Sequence, residues 1–174
     1  ETGRLSYFQD NGVVSRFLKE GFELNNAVYA IDYGYDGVFA GGLFNASGDT
    51  PVNHLAKFDF MGRLDSTFQA DTQVRSTVYD VIKWGNHLYV GGAFGIVKLS
   101  QGGQVEEAFE SSVIEGAVYS IDATDEAVYL GGDFVAASND LLKNIIRIDH
   151  DGVIDESFNL SDYPDAPVFS VLAR

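Results

Sequence analysis

Apolar residues in this chain fall in short runs closed by glycine, asparagine or aspartate, not at helical spacing. Val28-Tyr29-Ala30-Ile31 and Val78-Tyr79-Asp80-Val81-Ile82 are β-branched and aromatic and too short for helices, so they predict strands. A turn follows each run, at Tyr35-Asp36-Gly37, Trp84-Gly85-Asn86 and Thr124-Asp125-Glu126. Next comes a second apolar strand: Val38-Phe39-Ala40, Leu88-Tyr89-Val90 or Val128-Tyr129-Leu130. These triplets lack polar alternation, which predicts strands covered on both faces. No window of helical length carries an amphipathic stripe.

The pattern repeats. A Val-aromatic pair recurs as Val28-Tyr29, Val78-Tyr79, Val118-Tyr119 and Val168-Phe169. From each of the first three valines to a Gly-Gly-x-Phe box the offset is 13 residues. The boxes are Gly41-Gly42-Leu43-Phe44, Gly91-Gly92-Ala93-Phe94 and Gly131-Gly132-Asp133-Phe134. A third block reads LAKFDFMGRLDSTF at 55–68, IVKLSQGGQVEEAF at 96–109 and IIRIDHDGVIDESF at 145–158, with a further copy, LSYFQDNGVVSRFL, at 5–18. Its turn glycines, Gly12, Gly62, Gly103 and Gly152, supply a positive φ at little cost. Box to block spans 14 residues in the first and third repeats but only 5 in the second, so one connection varies on a fixed frame.

Four short antiparallel strands every 40–50 residues describe the blade of a β-propeller. The expected fold is therefore all-β, with three complete blades and partial blades at both ends. The boundaries are 1–24 (second half of a partial blade), 25–75, 76–116 (blade with a shortened loop), 117–166 and 167–174 (first strand of a further blade). Paired glycines fit this arrangement, because a bare backbone lets the aromatic residues of a neighbouring blade approach. About three and a half blades are too few for an ordinary closed ring. The single methionine is Met61 and the chain opens on Glu1, so the expectation is an arc cut from a longer propeller. Its apolar ends are then covered by the rest of that propeller or by other protein chains.

The succession of Gly-Gly-x-Phe, an Ile/Leu-x-Arg/Lys strand and Asp-Gly-x-Ile/Leu-Asp-x-x-Phe resembles the delta-sixty family of propeller-type repeats. The segment 145–158 is the nearest match and 55–68 is close; the middle repeat departs, with Gln101-Gly102-Gly103 in place of Asp-Gly. The glycine doublet is also distantly kelch-like. The resemblance implies a structural or adhesive part of a bacterial surface or phage tail-associated protein, extracellular or on a virion. It implies no catalytic motif.

Charge narrows the partners. Eleven Lys and Arg against 26 Asp and Glu leave a net −15, which repels phosphate backbones and argues against nucleic acid. No run reaches the roughly 18 apolar residues of a membrane helix, so no membrane insertion is expected. With no cysteine, disulfides, thiol catalysis and cysteine-ligated zinc are excluded.

Candidate chemistry is sparse. His54, His87 and His150 lie in separate loops without zinc spacing and are expected to face solvent. No Gly-x-Ser-x-Gly elbow accompanies them, so the chain is expected not to be an enzyme and to need no cofactor. A basic column (Lys57, Lys98, Arg147) and an acidic one (Asp65, Glu106, Asp155) predict a repeated cross-strand ion pair. The variable loops suit recognition, and the short one at Gly95 predicts a notch between two longer ones. Asn53, His54, Asn139, Asp140 and Asn144 are the candidate contacts there, for a protein partner or a surface glycan. A secreted or cell-surface lectin-like propeller is the first alternative, and an enzyme with a central-channel site the second. Asp149, Asp151 and Asp155 superficially resemble a calcium loop, but the aligned turns lose the carboxylates. Added calcium is thus expected to leave the melting temperature unchanged; a rise in a thermal titration would make this turn a metal site.

Overall fold

A computed structural model of the chain describes residues 23–109, 114–137, 139–158 and 163–174, without the side chains of 139–141. The segment 5–18 with Gly12 lies outside the described residues. Among those described the fold is all-β, without helices. The first sheet has strands β1 (Val28–Gly34), β2 (Gly37–Gly42) and β5 (Leu55–Phe58). The connection between β2 and β5 holds a small ladder, β3 (Ala46–Ser47) and β4 (Thr50–Pro51). The second sheet has β6 (Val78–Trp84), β7 (His87–Gly92) and β8 (Gly95–Ser100). The third has β9 (Ile114–Ala123), β10 (Val128–Ala136) and β11 (Asn139–Ile148). Every pairing is antiparallel, and the strand from the glycine box is central each time.

The fourth strand of each unit is shorter than the sequence predicts. It survives as one bridge: Phe58 with Leu64, Leu99 with Val105, Ile148 with Ile154. In the first and third units the turn is tied down locally. Asp59 Oδ1 accepts the N–H groups of Met61 and Arg63, and Asp149 Oδ1 those of Asp151 and Val153. One residue past the bridge, Asp65 and Asp155 bend the chain out of the ladder by accepting the N–H groups of Thr67 and Ser157. The turn glycines have φ of 83°, 94° and 93° at Gly62, Gly103 and Gly152, as their spacing predicts.

The hydrophobic core lies between the units. Phe39, Leu55, Phe68 and Val74 of the first pack on Val78, Val81, Leu88, Val90, Val97 and Leu99 of the second. Tyr89, Ile96 and Phe109 of the second pack on Val118, Ile121, Leu130, Phe134 and Ile146 of the third. This is why the strand triplets read as continuously apolar: the sheets pack face to face, with the second sandwiched between the other two.

The glycine boxes set the spacing, but the residue they admit is valine, not the aromatic expected. A β-carbon on Gly41 would stand 2.4 Å from Val78 Cγ1. One on Gly91 would meet Val118 Cγ1 at 2.8 Å, and one on Gly131 would meet Val168 and Val171 at 2.8 Å. The reason is a bulge. Val28 pairs with Gly42 and Ala30 with Gly41, so Tyr29 is an extra residue; Tyr79 is likewise extra. This irregularity redirects the aromatic ring and lets valine face the glycine of the preceding sheet. The second glycine serves its own unit: a β-carbon on Gly42, Gly92 or Gly132 would lie within 2.4 Å of a carbonyl oxygen, that of Ala27, Thr77 or Ala117.

Gly91→Val should therefore destabilise the protein by about 3 kcal/mol or more, because the intruding methyls meet Val118 and Ile121 across the core. Gly85, whose β-carbon would meet nothing within 4 Å, has φ of 57°. Gly85→Ala should cost only about 1–2 kcal/mol from backbone strain. Thermal melts of the two variants check the order.

Candidate binding surface

The loop residues singled out in sequence separate in space and in role. Asn53 is exposed, and its side-chain amide donates to the carbonyl of Ala70 (3.3 Å). This tie helps form an open groove of about 340 Å³ lined by Pro51, Asn53, Leu55, Leu64, Phe68 and Thr72. His54 and Asn144 occupy equivalent positions before β5 and within β11, with φ of 57° and 65°. Gly95, the third equivalent residue, has φ of 89°. All three take the left-handed turn that brings the chain back to the glycine-box strand. Asn144 is buried and its amide donates to the carbonyl of Pro164 (2.8 Å), so it is turned inward, away from any ligand. The side chains of Asn139 and Asp140 lie outside the described residues.

The connection at 135–144 is a hairpin, with β10 running to Ala136 and β11 starting at Asn139. Beside it β9 starts early, at Ile114, before the blade boundary expected between 116 and 117. Its carbonyl oxygens at Ile114 and Gly116 lie 3.5 and 3.9 Å from where a β-carbon on Gly95 would be. The space left by the shortened loop is lined by this strand. Of the box aromatics, Phe44 and Phe134 are buried, whereas Phe94, beside the short turn, is half-buried.

A second surface was not foreseen. The aromatic residues displaced by the bulges touch one another in sequence: Tyr29 and Tyr79 have ring centroids 6.1 Å apart, Tyr79 and Tyr119 5.1 Å, and Tyr119 and Phe169 5.4 Å. They form a belt along the first strands of the units. Burial, with Asp133 nearby, raises the Tyr119 hydroxyl pKa. The same strands are bonded through side chains. Asp32 Oδ2 accepts the N–H of Lys83 (2.5 Å), Asp80 Oδ2 that of Ile121 (2.7 Å) and Asp122 Oδ2 that of Ala173 (2.8 Å). Ser120 Oγ takes the N–H of Val171 (3.2 Å). Burial raises the pKa of Asp80 against these hydrogen bonds, and the charges of Asp32 and Asp122 add to the rise. These carboxylates are acceptors for backbone N–H groups.

Two of the three predicted pairs in the basic column form. Lys57 pairs with Asp65 (3.3 Å) and Asp36 (2.6 Å), and Arg147 pairs with Asp155. Burial alone would depress the Lys57 ammonium, but its hydrogen bonds to Asp36 and Asp65 outweigh this and raise its pKa. Lys98 departs from the pattern. It donates to the carbonyl of His150 (2.7 Å), and Glu106 stands 3.3 Å from His87 instead. All three cations also sit near rings: Lys57 over Phe39, Lys98 over Tyr89 and Phe109, and Arg147 over Phe158.

His150 does not face solvent. Its Nε2–H donates to the carbonyl of Thr124 (3.0 Å), which leaves Nδ1 to accept from the Tyr89 hydroxyl (2.8 Å). Its ring stacks on Trp84 at an interplanar angle of 11°. The hairpin of the third unit is thus locked to the second. Burial, with Asp151 and Asp149 nearby, pushes the Tyr89 hydroxyl up to about 12, which keeps it a donor. The equivalent residues are Phe60 and Gln101, so no repetition in the sequence marked this position. Among the described residues no group of three or more His, Asp and Glu is placed to hold a metal.

No protein-family model matches the chain, and no curated protein does. Solved structures do. The computationally designed Ika4 protein is 17% identical, with 89% of this chain and 83% of that one covered and a TM-score of 0.61. The computationally designed Ika8 protein is 14% identical, with 78% of this chain and 46% of that one covered and a TM-score of 0.49. At this identity the likeness to Ika4 concerns the fold alone.

Asp155 offers a local check on the column. Hydrogen bonds from the Ser157 hydroxyl, then from Arg147, hold its pKa at about 2. A carboxylate with a depressed folded pKa contributes stability that is full above the ordinary carboxylate range and is lost as pH falls through about 2. An NMR titration should place its midpoint there, and Ser157→Ala should move it upward.

Proposed function

We propose that this chain is a β-propeller segment with a non-catalytic structural or adhesive role in a larger surface or virion assembly. Phage tail-associated proteins are the class in view, and the location is extracellular. Each three-stranded sheet with its bridged fourth segment is a blade, and the belt strands β1, β6, β9 and 168–174 are the inner strands. One observation carries this reading: the same valine-to-glycine contact joins each unit to the next, three times over. The polar groups that repeat are spent on that stacking, as the aspartates of the inner strands show. What varies is the connection between the glycine box and the following strand: the β3–β4 ladder, the turn at Gly95 and the long β10–β11 hairpin. Partners are other protein chains or the rest of a longer propeller, met through these connections and the groove beside Asn53.

A lectin-like role is the second reading, favoured by the aromatic belt, which supplies one ring per unit. Sugars stack on such rings while their hydroxyls find nearby polar groups.

Immunogold labelling with an antibody raised against 43–54 should mark intact cells or virions at their surface. Labelling confined to the cell interior would overturn the assembly role. On a glycan array no sugar should be retained; strong retention that is lost in Tyr79→Ala would replace the structural reading with the lectin one.

A further inference from the structure

Among the described residues the stack of sheets has two ends, and both carry exposed apolar side chains. At one, the segment 168–174, expected to be a strand but joined to no ladder, lies on the third sheet beside β9. Val168 N–H donates to the carbonyl of Gly132 (2.9 Å), while Val171 and Ala173 donate to Ser120 and Asp122. Its far side is bare, with Phe169 74% and Leu172 71% exposed. At the other end, β1 presents Tyr29, Ile31 and Tyr33, all exposed. The internal counterparts of Ile31 are Val81 and Ile121. They are 1% and 4% exposed because a preceding sheet covers them, whereas Ile31 is 49% exposed.

The two ends match by the rules that join the units internally. The aromatic belt runs Tyr29, Tyr79, Tyr119, Phe169, so its termini are one ring on each end surface. Ser170 holds the place from which Asp80 and Ser120 accept an N–H from the next belt strand. The N–H of Ile31 holds the place from which Ile121 and Val171 donate. Leu172, standing where Asp32 and Asp122 stand, comes opposite Tyr33, which stands where Lys83 and Ala173 do.

We propose that two copies of this chain associate head to tail, with 168–174 of one docked on β1 of the other. Phe169 then stacks beside Tyr29, Leu172 packs on Tyr33, and Ser170 accepts the N–H of Ile31. The contact is heterologous: each copy offers two different surfaces. It repeats the belt contacts of the internal interfaces, without their valine-to-glycine contact, and buries apolar side chains that water otherwise surrounds. With a net charge of −15 the copies repel, so added salt strengthens the association. The inference rests on the observed stacking of sheets and not on the propeller reading, which a monomeric protein would leave standing.

Sedimentation velocity over a wide concentration range tests it, with two variants at exposed positions. Tyr33→Asp blocks one end and Leu172→Asp the other. The wild type should associate reversibly, and each variant alone should associate at least tenfold more weakly. An equimolar mixture of the two should recover a heterodimer, because each brings the end that the other lacks. A wild type that stays monomeric overturns the proposal, as does either variant behaving like wild type, or a mixture that fails to pair. A longer chain carrying its own covering sheets would run as a monomer and count against it in the same way. Should either variant melt early by circular dichroism, Tyr29→Ser and Phe169→Ser repeat the mixing experiment.

Discussion

Everything in this fold depends on a valine reaching the backbone of the sheet before it. Val78, Val118 and Val168 each fill the space that a side chain on Gly41, Gly91 or Gly131 would take. At 2.4 to 2.8 Å from that missing β-carbon, not even alanine fits without movement. The contact fixes the distance between sheets. It thereby decides that hydrophobic burial occurs between units, where Leu55 and Leu88 share one cluster and Ile96 and Leu130 another. A single sheet of this size has no core of its own, so stability grows by stacking, as in other repeat architectures.

The stacking also sets what polar residues do. Belt strands turn one edge away from their sheets, and their N–H groups need acceptors. Asp32, Asp80 and Asp122 meet that need from the neighbouring unit, at the cost of a raised pKa for Asp80, which burial pushes up and the charges of the other two add to. Outside, the cation column stays near aromatic rings and swaps partners when a better acceptor comes within reach, as Lys98 does on meeting the carbonyl of His150. Such swaps happen where two units touch, so they escape any comparison made within one unit.

Much of this was legible in the chain. The recurring valine, glycine box and turn glycine predicted strand order, antiparallel pairing and positive φ at Gly62, Gly103 and Gly152, because each follows from residue type at fixed spacing. The candidate contacts were less legible. Asn144 looked like a loop ligand because asparagine suits turns, and the same tolerance of positive φ is why it sits buried beside Pro164. His150 looked solvent-facing because its equivalents are Phe60 and Gln101, yet it bridges two units. What lines the space beside Gly95 was not legible either: it is the start of β9, more than 18 residues along the chain.

By itself the sequence determined the unit: which residues form strands, where they turn, and that the sheets pack face to face. Periodicity and turn chemistry are local, and local physics reads them. Only the tertiary structure decided which residue enters the glycine box, because a one-residue bulge at Tyr29 or Tyr79 reverses the side to which the neighbouring side chains point. It also decided that the aromatic residues form a belt and that the two ends of the described stack carry exposed apolar side chains. Both follow from the order in which sheets pack, a property that no single unit contains.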